Sequence, residues 1–197
     1  MLRCALSLFL LPLFLFAEKK EVTIVMQFSE GFSPQALQEM QAEADRIVRK
    51  AGLRLAFRHR HEAEQESYNE LIFFKMSGRC EMDAFPALLD ERGPLAFTFT
   101  TDGQILPFGE VKCDRLRQSI KTAMVGADFA QGNQLLGRAM GRVLAHELYH
   151  MIARTKGHGK GGVARESLSA RQLIAEQLDL SDHDCAFVRS GSGKKFL

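Results

Sequence analysis

The residues best suited to chemistry fall in one run, Asn133 to Gly162, which reads NQLLGRAMGRVLAHELYHMIARTKGHGKGG. Within it, His146-Glu147-Leu148-Tyr149-His150 is an HExxH motif set in a helical pattern. Side chains four residues apart share one face of a helix, so both imidazoles can reach a single ion. Zinc accepts such nitrogen ligands in tetrahedral geometry. Glu147 is rotated by about 100° from His146 and so points beside the metal rather than at it. There its carboxylate can take a proton from a metal-bound water and later deliver it to a leaving amine.

A third ligand is expected at His158, eight residues after His150. On a continuous helix that imidazole would sit about 12 Å further along the axis, out of reach. The helix must therefore stop and the chain turn back, and Gly157 is the residue expected to take a left-handed conformation there. Three histidines with one open position form a catalytic arrangement, whereas a structural zinc site is closed by a fourth protein ligand. Glu166 or Glu176 could stand in for His158 if the helix ran on. Tyr149 either brings its hydroxyl towards the site or packs in the core.

The elements that must position these groups alternate along the chain. Val22 to Phe28 reads as a strand. Ser33-Pro34 is a helix start, followed by Leu37, Met40, Ala44, Ile47, Val48 and Ala51 at helical spacing and by Gly52 as a stop. Leu53, Leu55 and Phe57 alternate as in a strand. Leu71 to Met76 and Leu95 to Thr101 read as buried strands, and Gln104 to Val111 as an edge strand interrupted by Pro107. Asp114 caps a short helix carrying Leu116, Ile120 and Met124. The order β-α-β-β-β-β-α, followed by two more helices, predicts an α+β fold. Gly137 and Gly141, with Ala145, form a small-residue stripe that lets the HExxH helix pack closely on its neighbour. Ser169 to Gln172 is a capping box.

Other histidines read as surface. His59 and His61 alternate with Arg58 and Arg60 at a strand end, and His183 stands between Asp182 and Asp184. The glycines from Gly159 to Gly162 lack the spacing of a phosphate loop.

The motif and its turn resemble those of zincin metallopeptidases, and among them the metzincins. The metzincin pattern is HExxHxxGxxH followed by a Met-turn, on a twisted sheet with an active-site helix. Upstream, Gly93-Pro94-Leu95-Ala96-Phe97, then Asp102-Gly103 and Phe108 before Glu110, resembles the strand and edge-strand region ahead of the zinc helix in matrixin-type enzymes. The chain is also similar to short secreted bacterial zincin-type proteins with a histidine eight residues after HExxH. The resemblance implies a zincin-like α+β domain, a twisted mixed sheet with a helix carrying HExxH. Three positions depart from the metzincin pattern. Ala153 replaces the glycine, His158 falls two residues late, and Gly162-Val163-Ala164-Arg165 occupies the Met-turn region.

Composition sets the cellular context. The 197 residues are 46% hydrophobic and 25% charged, with 26 Lys+Arg against 24 Asp+Glu, which excludes fibrous and disordered chains. A net charge of +2 argues against a nucleic-acid partner. Arg3, the apolar run Ala5 to Phe16, and Leu15 and Ala17 before Glu18 have the layout of a signal peptide spanning residues 1–17. That run is shorter than the about 20 residues of a membrane span, so secretion without stable membrane insertion is expected. Cys4 would leave with the signal and is not in a lipoprotein-type cleavage site. Of the remaining thiols, Cys80 and Cys113 each flank a predicted strand, whereas Cys185 lies in a polar stretch. A Cys80–Cys113 disulfide is therefore expected, the alternative being three free thiols.

The expected organisation is a signal peptide (1–17), one zincin-like metallopeptidase domain (18–185) and a polar tail (186–197). The expected activity is hydrolysis of a peptide or protein substrate by one Zn2+ per chain. His146, His150 and His158 are the ligands and Glu147 is the general base. The alternatives are an inactive zinc-stabilised binding protein and a non-peptidase zinc hydrolase.

Overall fold

Lys20–Phe28 forms β1, in which five consecutive residues, Val22 to Met26, are buried. Burial on both faces is the signature of a strand inside a sheet. The structure, a computed structural model, describes residues 20–63, 67–68, 70–83 and 93–191. The expected signal peptide with Ala17 and Cys4, and the last residues from Ser192, lie outside the described residues, as does the side chain of His61.

After β1, Ser33 caps helix α1 (Pro34–Arg49) by accepting a hydrogen bond from the Ala36 N–H at 3.3 Å, with Pro34 at the first helical position. Strand β2 (Leu53–His59) follows, then the single turn α2 (Arg60–Ala63), β3 (Leu71–Ser77), β4 (Ala96–Thr101) and β5 (Gln104–Lys112). The sheet order is β2-β1-β3-β5-β4, with every pair parallel except the antiparallel β4–β5. This is a mixed α/β architecture with a five-stranded, mostly parallel sheet.

Strand β5 is therefore interior and β4 is the edge, the reverse of the expectation for both segments. Pro107 is accommodated because β5 pairs with β3 only from Phe108 onwards, and because its register with β4 slips between Thr98 and Thr100. The missing proline N–H thus falls outside the regular ladder. No residue of β4 is fully buried, and its second half, Phe99 to Thr101, is exposed.

Chain continues through α3 (Cys113–Lys121), a 3-10 turn at Gly126–Gln131, and the 22-residue helix α4 (Gly132–Ala153), which carries HExxH. Helix α4 is buried on nearly every side, including the wholly buried Arg142. The small-residue stripe packs against α1. A Cβ on Gly137 would lie 2.4 Å from the Ala36 carbonyl oxygen, and one on Gly141 2.8 Å from that of Met40. The two helices can approach this closely only without those side chains. Arg142 then joins three elements, donating to Glu43 of α1 at 2.8 Å and to the carbonyls of Gln172 and Ala175 at 2.6 Å each. These carbonyls belong to α5 (Ala170–Ile174), opened by the expected Ser169–Gln172 capping box, and to the residue that follows it.

Helix α6 (Asp182–Gly191) ends the described chain, with Cys185 and Val188 buried. Packing thus continues beyond residue 185, where a polar tail was expected. Its short apolar face becomes visible only against α4, where Gly191 sits on the backbone at Ile152 and the Phe187 ring lies tilted near that of Tyr149. Cys80 and Cys113 form the expected disulfide, joining the chain after β3 to the start of α3; Cys185 is free and buried. Among the described residues no helix is long and apolar enough to cross a membrane. The disulfide is compatible with an extracellular location.

Candidate metal centre

Helix α4 presents His146 and His150 one turn apart, with Nε2 to Nε2 at 3.1 Å. Two nitrogens that each bind one zinc ion at 2.0–2.1 Å in a tetrahedron stand about 3.3 Å apart, so this spacing suits a shared ion. Both rings are oriented from behind by backbone. His146 Nδ1 lies 2.8 Å from the Val163 carbonyl oxygen and His150 Nδ1 2.7 Å from that of Thr155. A carbonyl only accepts, so each Nδ1 must carry the proton, and each neutral ring then presents its Nε2 lone pair outward. Two lone pairs facing each other at 3.1 Å repel unless a cation lies between them. Burial lowers the pKa of both imidazoles against the pull of their carbonyl partners, which disfavours a proton as that cation. A metal ion fits the donor set.

The third histidine reaches the same point. His146, His150 and His158 each offer a nitrogen, and the three lie within 4.8 Å of one another. The turn that returns His158 is built differently from expectation. Arg154, not Gly157, adopts the left-handed conformation (φ 51°, ψ 46°), and its N–H caps the His150 carbonyl. Gly157 is not in that region; its N–H instead binds the Thr155 hydroxyl at 3.0 Å. At this end of the helix, Gly191 of α6 abuts the backbone of Ile152 and Ala153.

The Gly162–Ala164 turn lies beneath the histidines, in the region where the metzincin pattern has its Met-turn. Val163 and Ala164 are fully buried there, and Val163 supplies the carbonyl that holds His146. Gly162 has φ +60°, and a Cβ on it would lie 2.0 Å from the Asp179 carbonyl oxygen, so only glycine fits.

Glu147 is 6% exposed and stands beside the three histidines rather than among them. Its Oε2 accepts a hydrogen bond of 2.7 Å from the Thr98 hydroxyl of β4. Burial raises the Glu147 pKa, and the Thr98 hydrogen bond opposes that rise. Thr98 is the neighbour of Glu147 that sequence reasoning missed. Its only sequence signal is its place on the strand ahead of the motif, because the contact spans 49 residues and depends on β4 lying over α4.

Two adjoining cavities of about 270 and 300 Å3 flank this group and share His146, Glu147 and Glu166 in their walls. The first is walled mainly by apolar groups such as Pro94, Leu95, Val143 and Leu168, the second by β4 and by Thr155, Lys156 and His158. Glu166 thus lines the cleft but does not join the histidine cluster, and neither does Glu176. Tyr149 is buried against Phe187, away from both cavities. His183 is exposed on α6, and the buried Asp184 beside it is held by Ser181 in a helix cap. His59 lies near Phe28 and Phe32 at the far end of the sheet. Comparison with known protein families, with curated proteins and with solved structures finds no match to this chain.

Proposed function

We propose that the protein is a secreted zinc-dependent peptide hydrolase with a zincin-like fold. The observation that carries this reading is the pair of Nε2 lone pairs held face to face by the Val163 and Thr155 carbonyls, with His158 converging on the same point. Zinc bound there supplies Lewis acidity that makes water nucleophilic near neutral pH. His146, His150 and His158 are its ligands. Glu147 is the general base. Its Oε2 is held by Thr98, which leaves Oε1 to take a proton from the attacking water. As the water oxygen bonds to the carbonyl carbon and the C–N bond breaks, the same carboxylate hands that proton to the departing amine.

A peptide is favoured as substrate because β4, the edge strand, lines the cleft beside Glu147. An edge strand presents unpaired backbone N–H and C=O groups, which an extended peptide satisfies by pairing alongside. The disulfide supports secretion.

The decisive experiment combines metal analysis with cleavage of a broad peptide library by the protein and its Glu147→Gln variant. About one zinc per chain is expected in both. General acid–base catalysis is worth about 10²–10⁴-fold, so the variant should lose at least about a hundredfold in turnover. Unchanged turnover would remove Glu147 as the base, and zinc loss in the variant would make it a ligand. A protein that holds zinc and cleaves nothing is instead a zinc-stabilised binding protein.

A further inference from the structure

We propose that Asp184 of α6 is a positioning residue for the metal centre, its carboxylate seating the loop that carries His158, a role that rests on His158 being a zinc ligand. His146 and His150 are oriented from behind by the Val163 and Thr155 carbonyls. His158 has no such partner. It is exposed, and among the described residues no hydrogen bond orients its ring. That ring stands 5.3 and 4.8 Å, centroid to centroid, from those of His146 and His150. Ligating histidines ordinarily gain their orientation from a partner on the other ring nitrogen. Without one, the place of His158 is set by its backbone.

That backbone is a small closed loop fixed at both ends. The Gly159 N–H, next to His158, donates to the Ala164 carbonyl at 2.7 Å, and the Val163 N–H donates to the Asp179 carbonyl at 2.9 Å. The far end is thus pinned on the segment that leads into α6. The near end rests on α6 itself, for a Cβ on Gly159 would lie 2.6 and 2.8 Å from the two carboxylate oxygens of Asp184. Asp184 is 1% exposed and is held from below by Ser181. The Ser181 hydroxyl donates to Oδ2 at 2.6 Å and accepts from the Asp184 N–H at 3.1 Å, while Oδ1 lies 3.5 Å from Nδ1 of His183. Capping this helix needs the Ser181 oxygen alone. A carboxylate is costly to bury, and its place against the glycine beside His158 gives it a use.

Two measurements on the full chain test this role: zinc affinity by competition with a chromophoric chelator, and the visible absorption of the cobalt(II) form. Losing a group that holds a metal ligand in place typically costs about 10–100-fold in affinity. Asp184→Ala removes the seat and Gly159→Ala pushes the loop off it. Each should weaken zinc binding by about that factor and move the cobalt spectrum towards that of His158→Ala. Asp184→Asn keeps the shape and still accepts from Ser181, so its affinity should stay within about threefold of the parent. In the His158→Ala background, Gly159→Ala should add almost no further loss, because the ligand it displaces is already gone. Gly159→Ala leaves α6 intact, so it reports on the seat even where Asp184→Ala lowers Tm. Parental affinity and spectrum in both Asp184→Ala and Gly159→Ala would overturn the proposal while leaving the zinc centre standing. An Asp184→Asn protein as weak as Asp184→Ala would also overturn it, since charge rather than shape would then matter. A parent that binds neither zinc nor cobalt would overturn the metal centre itself, and this role with it.

Discussion

The hydrogen bond from Thr98 to Glu147 makes a quantitative claim about the proposed catalysis, which Thr98→Val tests. Valine has nearly the shape of threonine and favours strands, so β4 should keep its backbone and its pairing with β5. The substitution removes one hydroxyl, and with it the 2.7 Å hydrogen bond to Oε2 of a carboxylate that is only 6% exposed. A hydrogen bond to a charged group contributes about 1.5–3 kcal/mol. At about 1.4 kcal/mol per tenfold, kcat should fall by about 10- to 150-fold. Because Thr98 is not one of the three clustered histidines, zinc content should not change.

Steady-state kinetics on a cleaved library peptide separates this role from a structural one. Thr98→Ser restores the hydroxyl and should return kcat to within about threefold of the parent, since the donor is back while only a methyl is lost. In the Glu147→Gln background, Thr98→Val should cost almost nothing more, because groups that act as a unit are strongly non-additive. A Thr98→Val protein with parental kcat would refute the reasoning. So would a serine variant as slow as the valine one, which would mean that the methyl, and hence packing, is what matters.

Further expectations concern the metal and the fold. His158→Ala should sharply lower zinc content by elemental analysis while Glu166→Ala leaves it intact, because only His158 joins the cluster. Replacing both Cys80 and Cys113 by serine opens a loop with a sequence separation of 33, which should cost about 4 kcal/mol and lower Tm by roughly 8–16 °C; an unchanged melting curve would show that the bridge does not constrain the unfolded chain. Stability should also fall in acid. Burial alone would raise the carboxyls of Glu43 and Asp179, but hydrogen bonds from Arg46 and Arg142, and from Lys50 and Arg46, hold them below the ordinary carboxylate range. A depressed folded-state pKa contributes stability above the unfolded value of about 4 that is lost as pH falls through the folded one. Urea midpoints should therefore be flat from about pH 7 to 5 and drop below about pH 4; a midpoint that rises in acid would reverse the sign of this linkage.

What was legible in the sequence divides according to how far apart the interacting residues lie. The spacing of His146 and His150 is a property of one helix and could be read directly, as could the cap at Ser33 and the box from Ser169 to Gln172. The close contact of Gly137 and Gly141 was visible as a stripe, though its partner α1 was not. Features that depend on distant chain were misread or missed. A glycine is the ordinary choice for a left-handed helix stop, so Gly157 was the natural candidate. Yet α4 ends where Gly191 of α6 abuts the backbone of Ile152 and Ala153, and it is Arg154 that takes the left-handed position. The same helix α6 buries Cys185 in what reads locally as a polar stretch. Strands β4 and β5 both carry enough apolar residues to be interior, and their sequences do not say which has a second neighbour. That ambiguity hid Thr98. Once β4 is the edge, alternate side chains along it must face α4, and the one opposite Glu147 is a hydroxyl that can hold the carboxylate in place.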